Sequence, residues 1–329
     1  MMMLLPSWYA LGALLVMSVS ASVGMRRTPF GFRHTECVVE VPNGATVDED
    51  PEGYGLRITH TNGSFWQHET PRVCMEAAAA ERAARQAKAA AGDPSCNATP
   101  CSCDTLPCNN WIDNAGSMNV KRFIGGMSST YVVPGTPLRT TSGQTLFYFI
   151  GAENTDGTPR SGNPPPSGRA ILQPVLTFDP SNWCKGYTTG WCFSSWYCCP
   201  QNVATHSPYI QNVEPGDQFL GLFNLSADGT MFETVSINVA TGQKTTLKCP
   251  RQSRNFNWAD VTQEVYAMEN CDDFAEGPME FRNVRLWDTN WQDMNPAWLL
   301  TSNKPCKGVI AQNGTTFTVS HSSDLSKSL

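Results

Sequence analysis

Arg169-Ala170-Ile171-Leu172-Gln173-Pro174-Val175-Leu176-Thr177-Phe178 is the stretch whose reading decides the fold. It is aliphatic and aromatic apart from Gln173 at its middle. Side chains along a strand alternate between faces, so Ile171, Gln173 and Val175 share one side and Leu172 and Leu176 the other. A primary amide on a walled face must find partners for its donors and its acceptor. Gln173 is therefore either tied to the backbone of a loop or turned towards a ligand.

Outward from that strand the pattern is all-β. Strands are predicted around Met127–Val133, Thr145–Ala152, Phe219–Leu225, Met231–Val239, Thr245–Leu247, Val261–Glu269 and Met279–Leu286. Asp156-Gly157, Pro215-Gly216-Asp217, Asp228-Gly229 and Thr241-Gly242 are the turns between them, and Asn313-Gly314 joins Gly308–Gln312 to Thr315–Ser320 as a hairpin. Many short strands at this spacing make a sandwich or barrel, and about 200 residues suffice for one such domain.

Several blocks carry a resemblance. Phe149-Ile150-Gly151 is followed by Ile171-Leu172-Gln173, then Trp196-Tyr197, then Pro215-Gly216-Asp217. Asn110-Trp111 and Ser128-Ser129-Thr130-Tyr131-Val132-Val133-Pro134 extend the pattern backwards, and Gln263-Glu264-Val265-Tyr266-Ala267-Met268-Glu269-Asn270 extends it forwards. In this order the blocks resemble the glutamic peptidases, or eqolisins: secreted, acid-active endopeptidases made as proenzymes. The resemblance implies a concanavalin A-like jelly-roll β-sandwich of two antiparallel sheets. It also implies a Gln/Glu catalytic pair, polypeptide substrates, and no metal or organic cofactor. On the matching blocks, Gln173 and Glu269 are the expected pair, with Glu264 as a rival for the carboxylate. Trp196, Tyr197, Glu153 and Asp156 are the expected substrate-binding residues. The chain departs from the family in four ways. Ser195 stands where a Glu precedes Trp-Tyr, and the Asp after the Gly block is matched only loosely by Glu153 or Asp156. Thr158–Ser167 is a longer Pro/Gly insertion, and the cysteine before the Gln strand is missing.

In the chemistry this implies, Glu269 acts as general base on a water, while Gln173 positions that water and donates to the oxyanion. Lectins and glucanases share this architecture, so fold alone does not fix function. A retaining glucanase needs two carboxylates flanking the scissile bond. Glu264 and Glu269 are five residues apart and leave a regular strand on opposite faces, so an amide is the partner available to one carboxylate. The alternative to a peptidase is an inactive carbohydrate- or protein-binding sandwich.

Other chemistries find little footing. His68-Glu69 lacks the second histidine of a zinc protease, and neither a G-x-S-x-G elbow nor an Asp-Thr-Gly or Asp-Ser-Gly occurs. A net charge of −6 argues against a nucleic-acid partner.

Residues 1–21 read as a signal peptide: an apolar run densest at Leu11–Met17, closed by Val19-Ser20-Ala21. No later stretch is long and apolar enough to span a bilayer, so no membrane anchor is expected after cleavage. The 13 cysteines and the sequons at Asn62, Asn97, Asn224 and Asn313 suit a secretory route, extracellular or to an acidic vacuole. The odd cysteine count leaves one thiol free or paired with another chain. Residues 22–108 form a small Cys-rich and helical preamble, with strands at Cys37–Val41 and Leu56–Thr59 and an alanine-rich helix over Met75–Lys88. That helix reads as an exposed linker or, through the resemblance, as part of an inhibitory intramolecular prosegment. Cys96, Cys101, Cys103 and Cys108 lack zinc-knuckle spacing, and disulfides are expected there. Cys198 and Cys199 are adjacent, a strained pairing, and are expected to reach separate partners that include Cys184 and Cys192. The sandwich is expected over residues 109–322, with a tail at 323–329.

Overall fold

The computed structural model describes residues 24–50, 55–77, 79–80, 108–119, 121–155, 170–252, 254–302 and 305–322. The expected signal peptide, Asp156, the cysteines at 96, 101 and 103, the insertion Thr158–Ser167 and the tail lie outside them. Among the described residues no helix is long and apolar enough to cross a membrane.

Two large sheets face each other. The first runs, edge to edge, through Leu299–Thr301, Cys108–Met118, Trp258–Met268, Thr145–Glu153, Ile171–Phe178, Trp191–Cys198, Ala204–His206 and Val38–Glu40. The second runs Val309–Asn313, Thr316–Ser320, Met279–Asp288, Ile124–Val132, Gln218–Leu225, Met231–Asn238, Lys244–Pro250, Thr46–Glu49, Gly55–Thr59 and Phe65–Glu69, with Asp293–Met294 paired beside it. Pairing is antiparallel except between Val38–Glu40 and Ala204–His206 and between Thr46–Glu49 and Lys244–Pro250. The all-β sandwich expected from the strand pattern is the fold.

The preamble does not stand apart from this body. Val38–Glu40 edges one sheet, and Thr46–Glu49, Gly55–Thr59 and Phe65–Glu69 extend the other. The physical reason lies in their apolar side chains: Val41, Ala45, Val47, Leu56 and Ile58 are buried in the common core. Cys37–Cys74 ties the segment together, and helix is present at 72–77.

The inner faces meet in an aromatic core. Tyr148, Leu172, Leu176, Phe193 and Tyr197 come from the first sheet, and Tyr131, Phe219, Phe223 and Phe281 from the second. A separate cluster lies on the other, outer face of the first sheet: Trp111, Phe147, Phe149, Ile171, Val175, Trp196 and Tyr266. That face is covered by a two-stranded hairpin, Met25–Thr28 with Gly31–His34.

The cysteines correct one expectation. Cys184 pairs with Cys192, Cys271 with Cys306, and Cys198 with its own neighbour Cys199. Cys184 and Cys192 satisfy each other across the loop that begins at Asp179, so neither is left for the adjacent pair. Among the described residues Cys249 is the free thiol, buried in the core.

Candidate functional site

The site grows from the local chemistry of Gln173-Pro174. Proline has no N–H to give its neighbour, so a proline inside a central strand opens the ladder. Ile171–Phe178 is central, between Thr145–Glu153 and Trp191–Cys198. The gap is filled from the opposite sheet: Tyr131 donates its hydroxyl to the Pro174 carbonyl at 2.7 Å and accepts from the Ile150 amide at 2.8 Å. The two strands stay together, and Gln173 is held beside the gap on the outer face.

Register then sets what Gln173 meets. Leu172 lies opposite Ala152 and Val175 opposite Phe149, which puts Gln173 opposite Gly151. Gly151 in turn lies opposite Asp260, and Asp260 opposite Gly116. Asp260 therefore sits between two glycines in the row of Gln173. A β-carbon at Gly151 would lie 2.8 Å from Oδ1 of Asp260 and 3.1 Å from Oδ2. The carboxylate thus extends over the space that the missing side chain leaves, towards Gln173. At ordinary strand spacing the two α-carbons are about 10 Å apart, within reach of two polar side chains and a water.

Asp260 is also oriented. Asn114 Nδ2 donates to Thr262 Oγ1 at 2.5 Å, and Thr262 Oγ1 donates to Asp260 Oδ1 at 3.2 Å. Burial and then the Asp260 charge push the Tyr131 phenol well above its ordinary pKa, so this carboxylate acts within range of the ladder gap.

Glu264 is on the same outer face, four residues further along the strand. Two strand spacings and four residues of rise put its α-carbon roughly 16 Å from that of Gln173. Its Oε2 accepts from Trp111 Nε1 at 2.9 Å and its Oε1 from the Tyr266 hydroxyl. Desolvation by burial raises its pKa to about 8, against the lowering effect of those hydrogen bonds. Glu264 is a clamp for the far end of the face, and it carries its proton at acid pH.

The expected carboxylate Glu269 is not brought to Gln173. The strand Trp258–Met268 shifts register between Val265 and Met268, with Ala267 at φ 55°, and the chain then turns into Cys271–Asp273. Beyond that bulge, Glu269 is 61% exposed and pairs with Arg139 at 3.1 Å. Tyr197 is likewise on the wrong face: it follows Trp196 by one residue, so the pleat sends it into the core between the sheets. Trp196 does line the outer face, donating through Nε1 to Ser194 Oγ at 2.9 Å. Glu153 is buried on that face at the row of Ile171 and Trp258, while Asp156 lies outside the described residues.

The hairpin completes the geometry. Its tip, Pro29-Phe30, lies over the row of Gln173, and Gln173 Nε2 donates to the Pro29 carbonyl oxygen at 3.1 Å. Gln173 is fully buried, and its Oε1 has no hydrogen-bond partner among the described residues. The Gly31 backbone comes close enough to Glu264 to oppose the rise in its pKa, and the Phe32 ring meets the Tyr266 ring edge-on at 5.0 Å. Trp183 Nε1 donates to the Arg27 carbonyl at 2.7 Å. Asp260 and the hairpin are what sequence reasoning missed. A signal for Asp260 was present: it stands two residues inside a strand whose neighbour offers a glycine. No group of His, Cys, Asp or Glu among the described residues is arranged to hold a metal ion.

No family model matches the sequence, and no curated protein matches it. Among solved structures the chain is similar to a Scytalido-glutamic peptidase bound to a peptide-based transition-state analog, at 17% identity and TM-score 0.45, over 65% of this chain and 98% of that one. It is similar to SCP-B, a member of the Eqolisin family of peptidases in complex with a tripeptide, at 16% identity and TM-score 0.43, over 65% and 98% of the two chains. Lectin UEA-II complexed with galactose is similar at 11% identity and TM-score 0.29, over 58% and 72%. The relationship to the peptidases is distant and at the level of fold.

Proposed function

We propose that the outer face of the first sheet hydrolyses peptide bonds with Gln173 and Asp260 as its working pair, and that the hairpin Met25–His34 holds it closed. Asp260 takes the part that the sequence reading gave to Glu269. One observation carries this reading: the Gln173 amide nitrogen already donates to a backbone carbonyl oxygen, that of Pro29, across a glycine from a buried carboxylate.

The chemistry follows from those positions. A water between Gln173 Oε1 and the Asp260 carboxylate attacks the carbonyl carbon of a substrate peptide lying where Pro29 lies. Asp260 takes the water's proton, and the oxyanion accepts from Gln173 Nε2 as charge develops. Asp260 then returns the proton to the departing nitrogen, the C–N bond breaks, and a carboxylic acid and an amine leave. A carboxylate base and a neutral amide donor complete this cycle by themselves. The hairpin enters and leaves the face as a continuous chain, which suits an endopeptidase.

Acid surroundings suit the fold. Glu264 is held in its protonated form up to about pH 8, so the far end of the face is at its most stable in acid. The disulfides Cys37–Cys74, Cys184–Cys192 and Cys271–Cys306 fit an oxidising, secretory setting. The prosegment in this reading is the hairpin rather than the whole of residues 22–108, because Val38–Glu40 and Thr46–Glu69 carry strands of both sheets.

The test is Asp260→Asn in the full chain, assayed on unfolded protein at acid pH after acid treatment. Loss of a general base is worth about 10²–10⁴ in rate. Undiminished hydrolysis by a folded Asp260→Asn chain would overturn the assignment.

A further inference from the structure

The hairpin has a composition that the sheet face complements. Gly24–His34 contains Arg26, Arg27, Arg33 and His34 and no acidic residue. The face beneath it presents Glu153, Asp260 and Glu264, with Asp179 at its edge, all buried. On the strands Cys108–Met118, Trp258–Met268, Thr145–Glu153, Ile171–Phe178 and Trp191–Cys198, no side chain of the chain is Lys or Arg. Each hairpin arginine meets its own part of that surface. The Arg26 guanidinium lies 4.5 Å from the Trp183 ring centroid, over an aromatic nest in which Trp183 packs edge-on against Trp196 and His206. Arg27 is half-buried within range of Asp179, whose pKa burial raises; the Arg27 charge is the smallest of the effects that oppose that rise. Arg33 lies towards the Glu264 end, its guanidinium 5.7 Å from the Phe30 ring centroid at the tip. Between them the tip places backbone groups: the Arg27 carbonyl on Trp183 and the Pro29 carbonyl on Gln173.

We infer that this face recognises arginine-bearing peptides, with the cationic side chains set on both sides of a short Pro- or Gly-containing turn, and that the hairpin is the resident example of that class. The inference rests on the reading of the face as a peptide site, and it names the substrates that site selects. The Trp183 surface takes one guanidinium by stacking, and the Asp179 region draws another by charge. A neutral or acidic chain of the same length would leave the Trp183 ring unstacked and Asp179 without a cation beside it, and the face discriminates against it for that reason.

The experiment uses the full chain and a fluorescent synthetic peptide with the sequence of residues 24–35, followed by anisotropy at neutral pH. In the wild type the resident hairpin competes with the probe. In a chain carrying Arg26→Ala, Arg27→Ala and Arg33→Ala it competes less, and the probe should bind about tenfold tighter or more. A probe with its three arginines replaced by alanine should bind neither chain. Equal binding of the two probes, or an unchanged hairpin in the triple variant by amide exchange at Gly31 and Phe32, would overturn the inference. Arg26→Ala alone, which removes only the stacked guanidinium, gives the same comparison with a smaller gain if the triple variant does not fold. Mass spectrometry of the probe afterwards separates the two claims. A selectively bound but uncut probe supports the inference and removes the hydrolase reading. Hydrolysis of arginine-free peptides with no preference for the probe removes the inference and leaves the hydrolase.

Discussion

On the strand Trp258–Met268, Ala259, Val261 and Val265 point into the sandwich, while Asp260, Thr262, Glu264 and Tyr266 point at the hairpin. Both faces are buried, but the covers differ. One is a whole second sheet whose phenylalanines and tyrosines fill the space. The other is ten residues tied down by a few hydrogen bonds, two of them from Gln173 and Trp183. A cover of that size, made of turn and backbone contacts, can be exchanged for another peptide; an inner face packed at core density cannot. Buried polar groups are dear unless they have partners. Between the sheets such groups pair with one another, as Ser195 does with Ser236 and Gln263 with Tyr148 and His321, whereas under the small cover Gln173 leaves its Oε1 without a partner among the described residues.

The contrast can be broken by substituting neighbours that point opposite ways. Gln173→Ala should lower kcat by about 10²–10³, as for other oxyanion donors, with a much smaller change in thermal stability. Leu172→Ala, one residue earlier on the inner face, should cost about 2–5 kcal/mol of stability and leave kcat of the folded fraction near normal. Steady-state kinetics with denaturant unfolding on both variants checks the pair; equal kinetic losses would mean that the faces are not functionally distinct.

Gly151→Ala sharpens the same contrast with a single methyl. Its β-carbon would arrive 2.8 Å from Asp260 Oδ1, so the carboxylate must move. A displacement of about 1 Å in a catalytic group is worth about 10² in rate. Normal activity in Gly151→Ala would separate Asp260 from the reaction.

pH dependence reads the two ends of the outer face. The Glu264 pKa rises from 4.5 unfolded to about 8 folded, so its contribution to stability is present in acid and lost as pH rises towards 8. The His206 pKa falls from 6.5 to about 4, chiefly through burial, so its contribution is present above 6.5 and lost as pH falls towards 4. The two oppose each other below pH 6.5, and Glu264 acts alone between 6.5 and 8. There, unfolding free energy should fall by up to about 1.4 kcal/mol per pH unit. Urea unfolding of Glu264→Gln should flatten that upper slope and uncover the His206 slope below it; an unaltered profile would mean that Glu264 does not hold its proton in the fold. The smallest effect belongs to Glu269→Gln, which removes an exposed pair with Arg139 worth about 0–1 kcal/mol and should leave activity unchanged.

The strands and turns were legible in the sequence because alternation and Gly-containing turns are local. Ile171–Phe178 was found to within a residue, and the face of Gln173 followed from its parity. The carboxylate was not legible in the same way. Parity separates Glu264 from Glu269 but does not say which lies nearer to Gln173, and a bulge with positive φ at Ala267 moves everything after it. Asp260 became visible only through register, where two antiparallel pairings bring Gly151 between it and Gln173. The hairpin was missed because nothing local in Arg26 to Arg33 marks it; its place depends on Gln173 and Trp183, far along the chain. The strands of residues 38–69 were assigned to a separate preamble for a related reason, since pairing with Ala204–His206 and Lys244–Pro250 leaves no local mark.

The central claim is that the hairpin-covered face cuts peptide bonds. It is tested most directly by incubating the acid-treated full chain with an unfolded protein in ¹⁸O-water across acid to neutral pH, and sequencing the products by mass spectrometry. The account predicts new internal peptides, each with ¹⁸O in its new carboxyl group, produced in acid by the wild type and absent with a Gln173→Ala, Asp260→Asn double variant. An intact substrate at every pH, from a chain whose hairpin amides have become exchangeable, would contradict it.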